Sequence, residues 1–136
     1  MSPTIQNALN LLGRILFVVL FLPAGIGKLT GFSSTVGYIA SVGLPAPALG
    51  AVLALLVEIG GSLALLAGFG TRIAALVLAL FTLGASVFFH AYWSAPADQA
   101  FVTQLLFFKN VAVAGGLLVL AAQGAGGWSL DARRQA

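Results

Sequence analysis

Cysteine is absent from this 136-residue chain. No disulfide, thiolate metal site, iron–sulfur cluster or CxxC redox chemistry is therefore possible within it. A single His and no Met beyond Met1 exclude intrachain bis-His or His/Met haem ligation. Charge is also scarce, at 7% of residues against roughly 25% in an ordinary soluble domain. Six Lys and Arg against three Asp and Glu give a net charge of +3, but the basic residues are scattered at segment ends. They form no run that would track phosphates, so nucleic acid is excluded as an expected partner. No His/Asp/Glu spacing suggests a metal site.

What remains is apolar: 60% hydrophobic residues and a mean hydropathy of +1.09. Too few polar side chains are present to clothe a water-facing surface, so the lipid bilayer is the expected solvent. About 20 apolar residues at 1.5 Å each cross a hydrocarbon core of ~30 Å. Four stretches meet that length, from about Ala8 to Gly27, Leu49 to Phe69, Ile73 to Trp93 and Phe101 to Ala122. The reading is an all-α integral membrane four-helix bundle in one domain. The first span has no clean small-x-small cleavage pattern ahead of Lys28 and is read as retained.

Leu29 to Ala48 is too polar to span. Ser33, Ser34, Thr35 and Ser41 are interleaved with Val36, Tyr38, Ile39 and Val42 before Gly43, Leu44, Pro45 and Pro47. The pattern predicts a short amphipathic interfacial helix that Gly and Pro terminate. Gly68-Phe69-Gly70-Thr71-Arg72 is a tight turn between spans two and three, with Thr71 expected to cap the following helix. Gly124 to Ala136 reads as a short polar tail, mobile at its end.

With an even number of spans, the termini and the Arg72 turn share one face. That face collects Arg72, Arg133 and Arg134, with Arg14 near enough to snorkel to it, whereas the other offers Lys28 and the loop around Asp98. Retention of basic residues inside predicts cytoplasmic termini. Tyr92 and Trp93 then mark the outer interface and Trp128 the inner one. Arg14, with Asn7 and Asn10, reads as an interface anchor rather than a site.

An ionisable residue at mid-bilayer costs about 2.5–3.5 kcal/mol on insertion scales, so those present carry most of the functional information. Glu58 is the deepest, near the centre of span two. Its helical face carries Ala51, Ala54, Gly61, Ser62 and Leu65, and the opposite side Leu53, Leu56, Val57, Leu63 and Leu66. Small residues favour close helix contact, so Glu58 is expected to face inward. In span three Ala75, Ala79, Thr82, Ser86 and His90 recur at steps of four, three, four and four, one helical face ending in the only His. Span four carries Lys109 and Asn110 about two turns inside its outer end, and Lys28 closes span one just after Pro23, where a local kink is expected.

Counting depth from the outer ends groups Lys28, His90, Lys109 and Asn110 above Glu58. A pair between Glu58 and Lys109 or Lys28 would relieve burial of the carboxylate. Two readings stand side by side: a neutralised ion pair that fixes helix register, and a polar pocket that hydrogen-bonds a carbonyl-bearing ligand. The candidate ligand-binding set is Glu58, His90, Lys109, Asn110 and Lys28, with Thr82 and Ser86 lining the bundle; no catalytic residue is assigned.

These residues carry a resemblance. Arg14 with Phe17, the Gly25 to Lys28 spacing, Gly43-Leu44-Pro45, Glu58 with Gly60-Gly61 and the Gly68 to Arg72 turn are its first half. His90, Lys109-Asn110 and Ser129-Leu130-Asp131 are its second. In order and spacing the chain resembles the DoxX family of small bacterial and archaeal four-helix membrane proteins over nearly its whole length. The resemblance implies an inner-membrane bundle, and named members are subunits of thiosulfate:quinone oxidoreductase or partners in oxidative-stress complexes. It brings no settled catalytic motif.

The leading expectation is thus a membrane subunit of a quinone-linked oxidoreductase, binding quinone or a similar lipid-soluble molecule, with electrons arriving from a partner, a bound cofactor or the substrate. A non-catalytic anchor or assembly factor for a soluble redox protein is the alternative, and a small transporter ranks third. No intrinsic cofactor is evident. A redox-protein partner or a homo-oligomer are the associations considered.

Overall fold

The computed structural model describes residues 1–136. Helix α1 (Pro3–Thr30) starts behind a Ser2 cap whose hydroxyl accepts from the Ile5 amide. It runs on past the expected end of span one and through Pro23 without a break. Helix α2 (Phe32–Ser41) follows after the single residue Gly31. It is the short amphipathic segment anticipated between the first two spans, and it packs back on α1 and on helix α3 (Pro47–Ala67). Gly43 and Ala46 between them take positive φ, and Pro47 opens α3.

Helix α4 (Thr71–Phe89) is followed by a 3-10 turn at Tyr92–Ser94, then helix α5 (Ala100–Gln123) and a final short helix α6 (Leu130–Gln135). Four of these helices are long and apolar enough to cross a membrane: α1, α3, α4 extended to Ser94, and α5. Packing joins α1 to α3, α4 to α5, and the two pairs through α3 and α4. The core is where the pairs meet, with Val18 and Phe21 of α1 against Leu65, Leu78 and Leu117.

Small residues set the helix spacing. A Cβ on Gly25 would sit 2.7 Å from Ile59 Cγ1 and 3.0 Å from Glu58 Cβ, so α1 and α3 are in direct backbone contact at the level of Glu58. The inward face of α3 is Ala51, Ala54, Glu58, Ser62 and Leu65, all buried, while Leu53, Leu56, Leu63 and Leu66 are exposed. Val57, expected on the lipid side, instead packs against the core. On α4 the stripe of Ala75, Ala79, Thr82 and Ser86 is buried.

The face that carries the termini departs most from expectation. Arg14 is fully buried rather than snorkelling. Its guanidinium donates to the carbonyls of Leu65 (2.8 Å), Leu66 (3.3 Å) and Trp128 (2.6 Å) and to Asn10 Oδ1 (3.1 Å). The end of a helix leaves carbonyls without intrahelical donors, and a planar five-donor fork satisfies several at once. Arg72 does the same for α5, donating to the carbonyls of Ala121 and Ala122.

The tail is therefore tied down. Gly127 N–H donates to Asn7 Oδ1 (2.8 Å), Asn10 Nδ2 donates to the Gly124 carbonyl (2.9 Å), and Asp131 N–H donates to the Gly68 carbonyl (2.8 Å). Thr71 does not cap α4. Gly70 holds that position with φ +56°, and the Asp131 carboxylate accepts from the Gly70 (2.8 Å) and Thr71 (3.0 Å) amides in its place. A tail carboxylate across the N-terminus supplies both the acceptor and the negative charge that a helix dipole favours there. Burial alone would push the Asp131 carboxyl up, but these amide donors and the charge of Arg134 hold it below the usual range.

Candidate functional site

Near the middle of the bundle Glu58 is pressed inward by the close α1–α3 contact and is 5% exposed. Eleven residues from Pro47 put it about 17 Å along α3, so it lies far from either helix end. Lys28, from the last turn of α1, reaches down to it. The ammonium lies 3.1 Å from Oε1 and 2.9 Å from Oε2. Of the two partners anticipated for Glu58, Lys28 holds the bond. The pair is lopsided, with 31% of the Lys28 side chain exposed against 7% for Glu58. A carboxylate so placed depends on its partner more than the ammonium does, because only one of them retains access to other solvation.

The pair forms part of the wall of a cavity of about 290 Å³. Every residue of the candidate ligand-binding set lines it: Lys28, Glu58, His90, Lys109 and Asn110. They come from four different helices or their ends, and Thr82 adds a hydroxyl from α4. Ser86 stays inside the bundle but is not part of the wall; its hydroxyl donates to the Thr82 carbonyl at 2.9 Å.

Two of the lining groups have polar atoms left over. Thr82 is 4% exposed and its Oγ1 has no hydrogen-bond partner. Asn110 is 8% exposed, and its amide is in no hydrogen bond within the protein, although a buried amide ordinarily uses its donors and acceptor. Lys109 is exposed and forms no ion pair; the one salt bridge in the chain is Lys28–Glu58. The apolar part of the wall includes Leu20, Phe21, Ala54, Phe81 and Phe89. An apolar wall with a few unsatisfied polar groups is the usual make-up of a small-molecule site.

Helix α2 contributes what the sequence reading did not assign to the site. Thr35, Tyr38 and Ile39 face the cavity, and the Tyr38 ring packs on Phe89 with centroids 5.2 Å apart. The signal was present in their spacing of three and one, which places them on a single helical face. Outside the cavity lining, Tyr92 and Trp93 pack against Phe107, at 5.4 and 5.7 Å between centroids. That aromatic cluster packs α5 against the 3-10 turn, and its Phe107 lies two residues before Lys109 in the chain. Trp and Tyr favour the membrane–water boundary, the position expected for Tyr92 and Trp93.

The DoxX family model matches residues 9–91, more than half of the chain. The chain belongs to the DoxX family. The matched stretch contains Arg14, Lys28, Glu58, Thr82 and His90, and ends before α5. Two relatives from Escherichia coli (strain K12) are similar over nearly full length. "Inner membrane protein YphA" is 40% identical over 128 residues, 94% of this chain and 91% of that protein. "Inner membrane protein YqjF" is 42% identical over 121 residues, 89% of this chain and 88% of that protein. No solved structure matches.

Proposed function

We propose that this DoxX protein is a single-domain, multi-pass protein of the bacterial inner membrane that binds the head group of a quinone or similar lipid-soluble molecule in the cavity above Glu58, as the membrane subunit of a redox system. The carrying observation is the convergence of Lys28, Glu58, Thr82, His90, Lys109 and Asn110 on one apolar-walled cavity, with Thr82 Oγ1 and the Asn110 amide unpartnered. At 290 Å³ the cavity has room for about ten waters, which suits a ring-sized head group whose tail leaves through the mouth. A quinone needs hydrogen-bond donors at two carbonyls and, on reduction, protons. Asn110 and Thr82 supply neutral donors, and Glu58, His90 and the lysines supply exchangeable protons. Electrons come from a partner, a bound cofactor or the substrate, since the chain has no cysteine and one His.

The inner-membrane assignment is supported by the two Escherichia coli relatives and by the four apolar helices. Cytoplasmic termini are supported by Arg72, Arg133 and Arg134 on the terminal face. The cavity then opens in the outer half of the bilayer. Fusing alkaline phosphatase or a fluorescent protein to Ala136 tests the orientation; phosphatase activity would reverse it.

The binding claim is tested by titrating detergent-purified protein with ubiquinone-1 while following Trp fluorescence. Saturable binding weakened at least tenfold in Asn110→Leu supports it, and absence of binding by wild type refutes it. The anchor reading has an observation in its favour as well, because Lys28 already neutralises Glu58. Co-purification of a soluble redox protein that persists in Glu58→Gln, together with no quinone binding, would select it.

A further inference from the structure

Charge balance inside the cavity narrows the kind of head group. Of the three basic side chains in its wall, Lys28 is engaged with Glu58, the one acid there. Lys109 has no anionic partner, and neither of the remaining acids, Asp98 and Asp131, lines the cavity. Asp131 is committed at the opposite end to the amides of Gly70 and Thr71. The wall next to Lys109 is His90, a further basic group, and Asn110, a neutral one.

An unpaired ammonium beside an apolar wall needs an explanation. Snorkelling to water is the ordinary one, and Lys109 is exposed enough for it. Snorkelling does not account for Thr82, whose buried Oγ1 has no partner, or for Asn110, a buried residue whose side chain makes no hydrogen bond within the protein; both line the same cavity. Together the three give one cavity two buried neutral groups and one exposed, unpaired cation.

We infer that Lys109 is the anion subsite of this cavity and that the preferred ligand is an amphiphile with an acidic head group, a phenolate, enolate or carboxylate. Its head group sits against Phe81 and Phe89, its neutral oxygens meet Asn110 and Thr82, and its tail leaves through the mouth. The negative oxygen pairs with Lys109 while Lys28 stays with Glu58. This rests on the ligand-binding reading above and specifies the chemical class that the site selects. Lys109 is exposed and loses little hydration on pairing, and an ion pair beside an apolar wall is less screened than one in bulk water, so charge discriminates between ligands of equal size.

Two matched pairs of probes test it on the full-length protein in detergent at pH 7.5: 1,4-naphthoquinone against 2-hydroxy-1,4-naphthoquinone, which is anionic there, and decanol against decanoate. The anionic member of each pair is expected to bind at least tenfold more tightly. That preference should fall to less than threefold in Lys109→Gln and persist in Lys109→Arg. As a control for net charge alone, Arg133→Gln, an exposed change at the other end of the molecule, should leave the preference intact. Equal affinity within the quinone pair, or a preference unchanged in Lys109→Gln, overturns the inference and leaves quinone binding intact. Preference for decanoate with no binding of either quinone upholds the anion subsite and overturns the quinone reading. Binding of no probe overturns both.

Discussion

Arg14 offers the sharpest test of the packing. Its guanidinium is fully buried and donates to three backbone carbonyls and one side-chain oxygen at 2.6–3.3 Å. Hydrogen bonds to a charged group contribute about 1.5–3 kcal/mol each. They are not additive here, since one side chain makes all of them. Breaking a buried charged network by removing a partner costs about 3–5 kcal/mol, and we expect Arg14→Ala to fall in that range. Arg14→Lys keeps the charge but loses the planar fork, so it reaches fewer carbonyls and should cost about 1–3 kcal/mol. The assay is unfolding in mixed micelles of dodecyl maltoside and SDS, followed by Trp fluorescence, because the Trp128 carbonyl is one of the acceptors. Hydrogen exchange supplies a local readout: the Gly127 and Asp131 amides, which bond the tail to Asn7 and Gly68, should lose protection first in Arg14→Ala. A loss under ~1 kcal/mol, with those amides still protected, would refute the claim that Arg14 ties the tail to α3.

Three further outcomes follow from the same contacts. In a double-mutant cycle, Lys28→Met should destabilise by about 3 kcal/mol and Glu58→Gln by less, because the former strands the more deeply buried charge; the double variant should recover at least ~1 kcal/mol of the sum. Asp131→Asn should cost about 1–2 kcal/mol at pH 7, the worth of a charged cap. Since the folded carboxyl is held low, its contribution is present above the unfolded value near 4 and is lost as pH falls through the lower folded value, so wild type and Asp131→Asn should converge in acid. Gly25→Val drives a side chain into Ile59 and Glu58 and should cost about 1–3 kcal/mol in the same unfolding assay, whereas Gly27→Ala, with nothing within 4 Å of its Cβ, should stay within about 0.5 kcal/mol.

The four spans were legible because a bilayer demands long uninterrupted apolar runs, and α1, α3, α4 and α5 each supply one. The inward faces of α3 and α4 were legible because small residues recur there at helical steps, with Val57 the exception. Depth counting grouped Lys28, His90, Lys109 and Asn110 near the outer ends with Glu58 below them, and the structure puts all five around one cavity. The terminal face was not legible. Apart from Asn10, Arg14 acts on backbone carbonyls, as Arg72 does, and every residue has one, so the sequence does not mark which they reach. The same holds for Asp131, whose acceptor role toward Gly70 and Thr71 spans sixty residues. Thr71 looked like a cap because it is a hydroxyl residue after a glycine turn. Its position is already inside the helix, and the distant carboxylate has the place beside it. Tyr38 was read as part of an interfacial helix, and its approach to Phe89 depends on how α2 folds back, which local pattern does not specify.

The central claim is that the cavity above Glu58 holds the polar head of a lipid-soluble ligand, and a density map of gently purified native protein tests it most directly. Non-protein density is expected in the cavity, with a polar atom about 3 Å from Asn110 or Thr82 Oγ1 and a tail leaving past Lys109. A cavity closed by its own side chains, or filled by an acyl chain with its head group elsewhere, would contradict it.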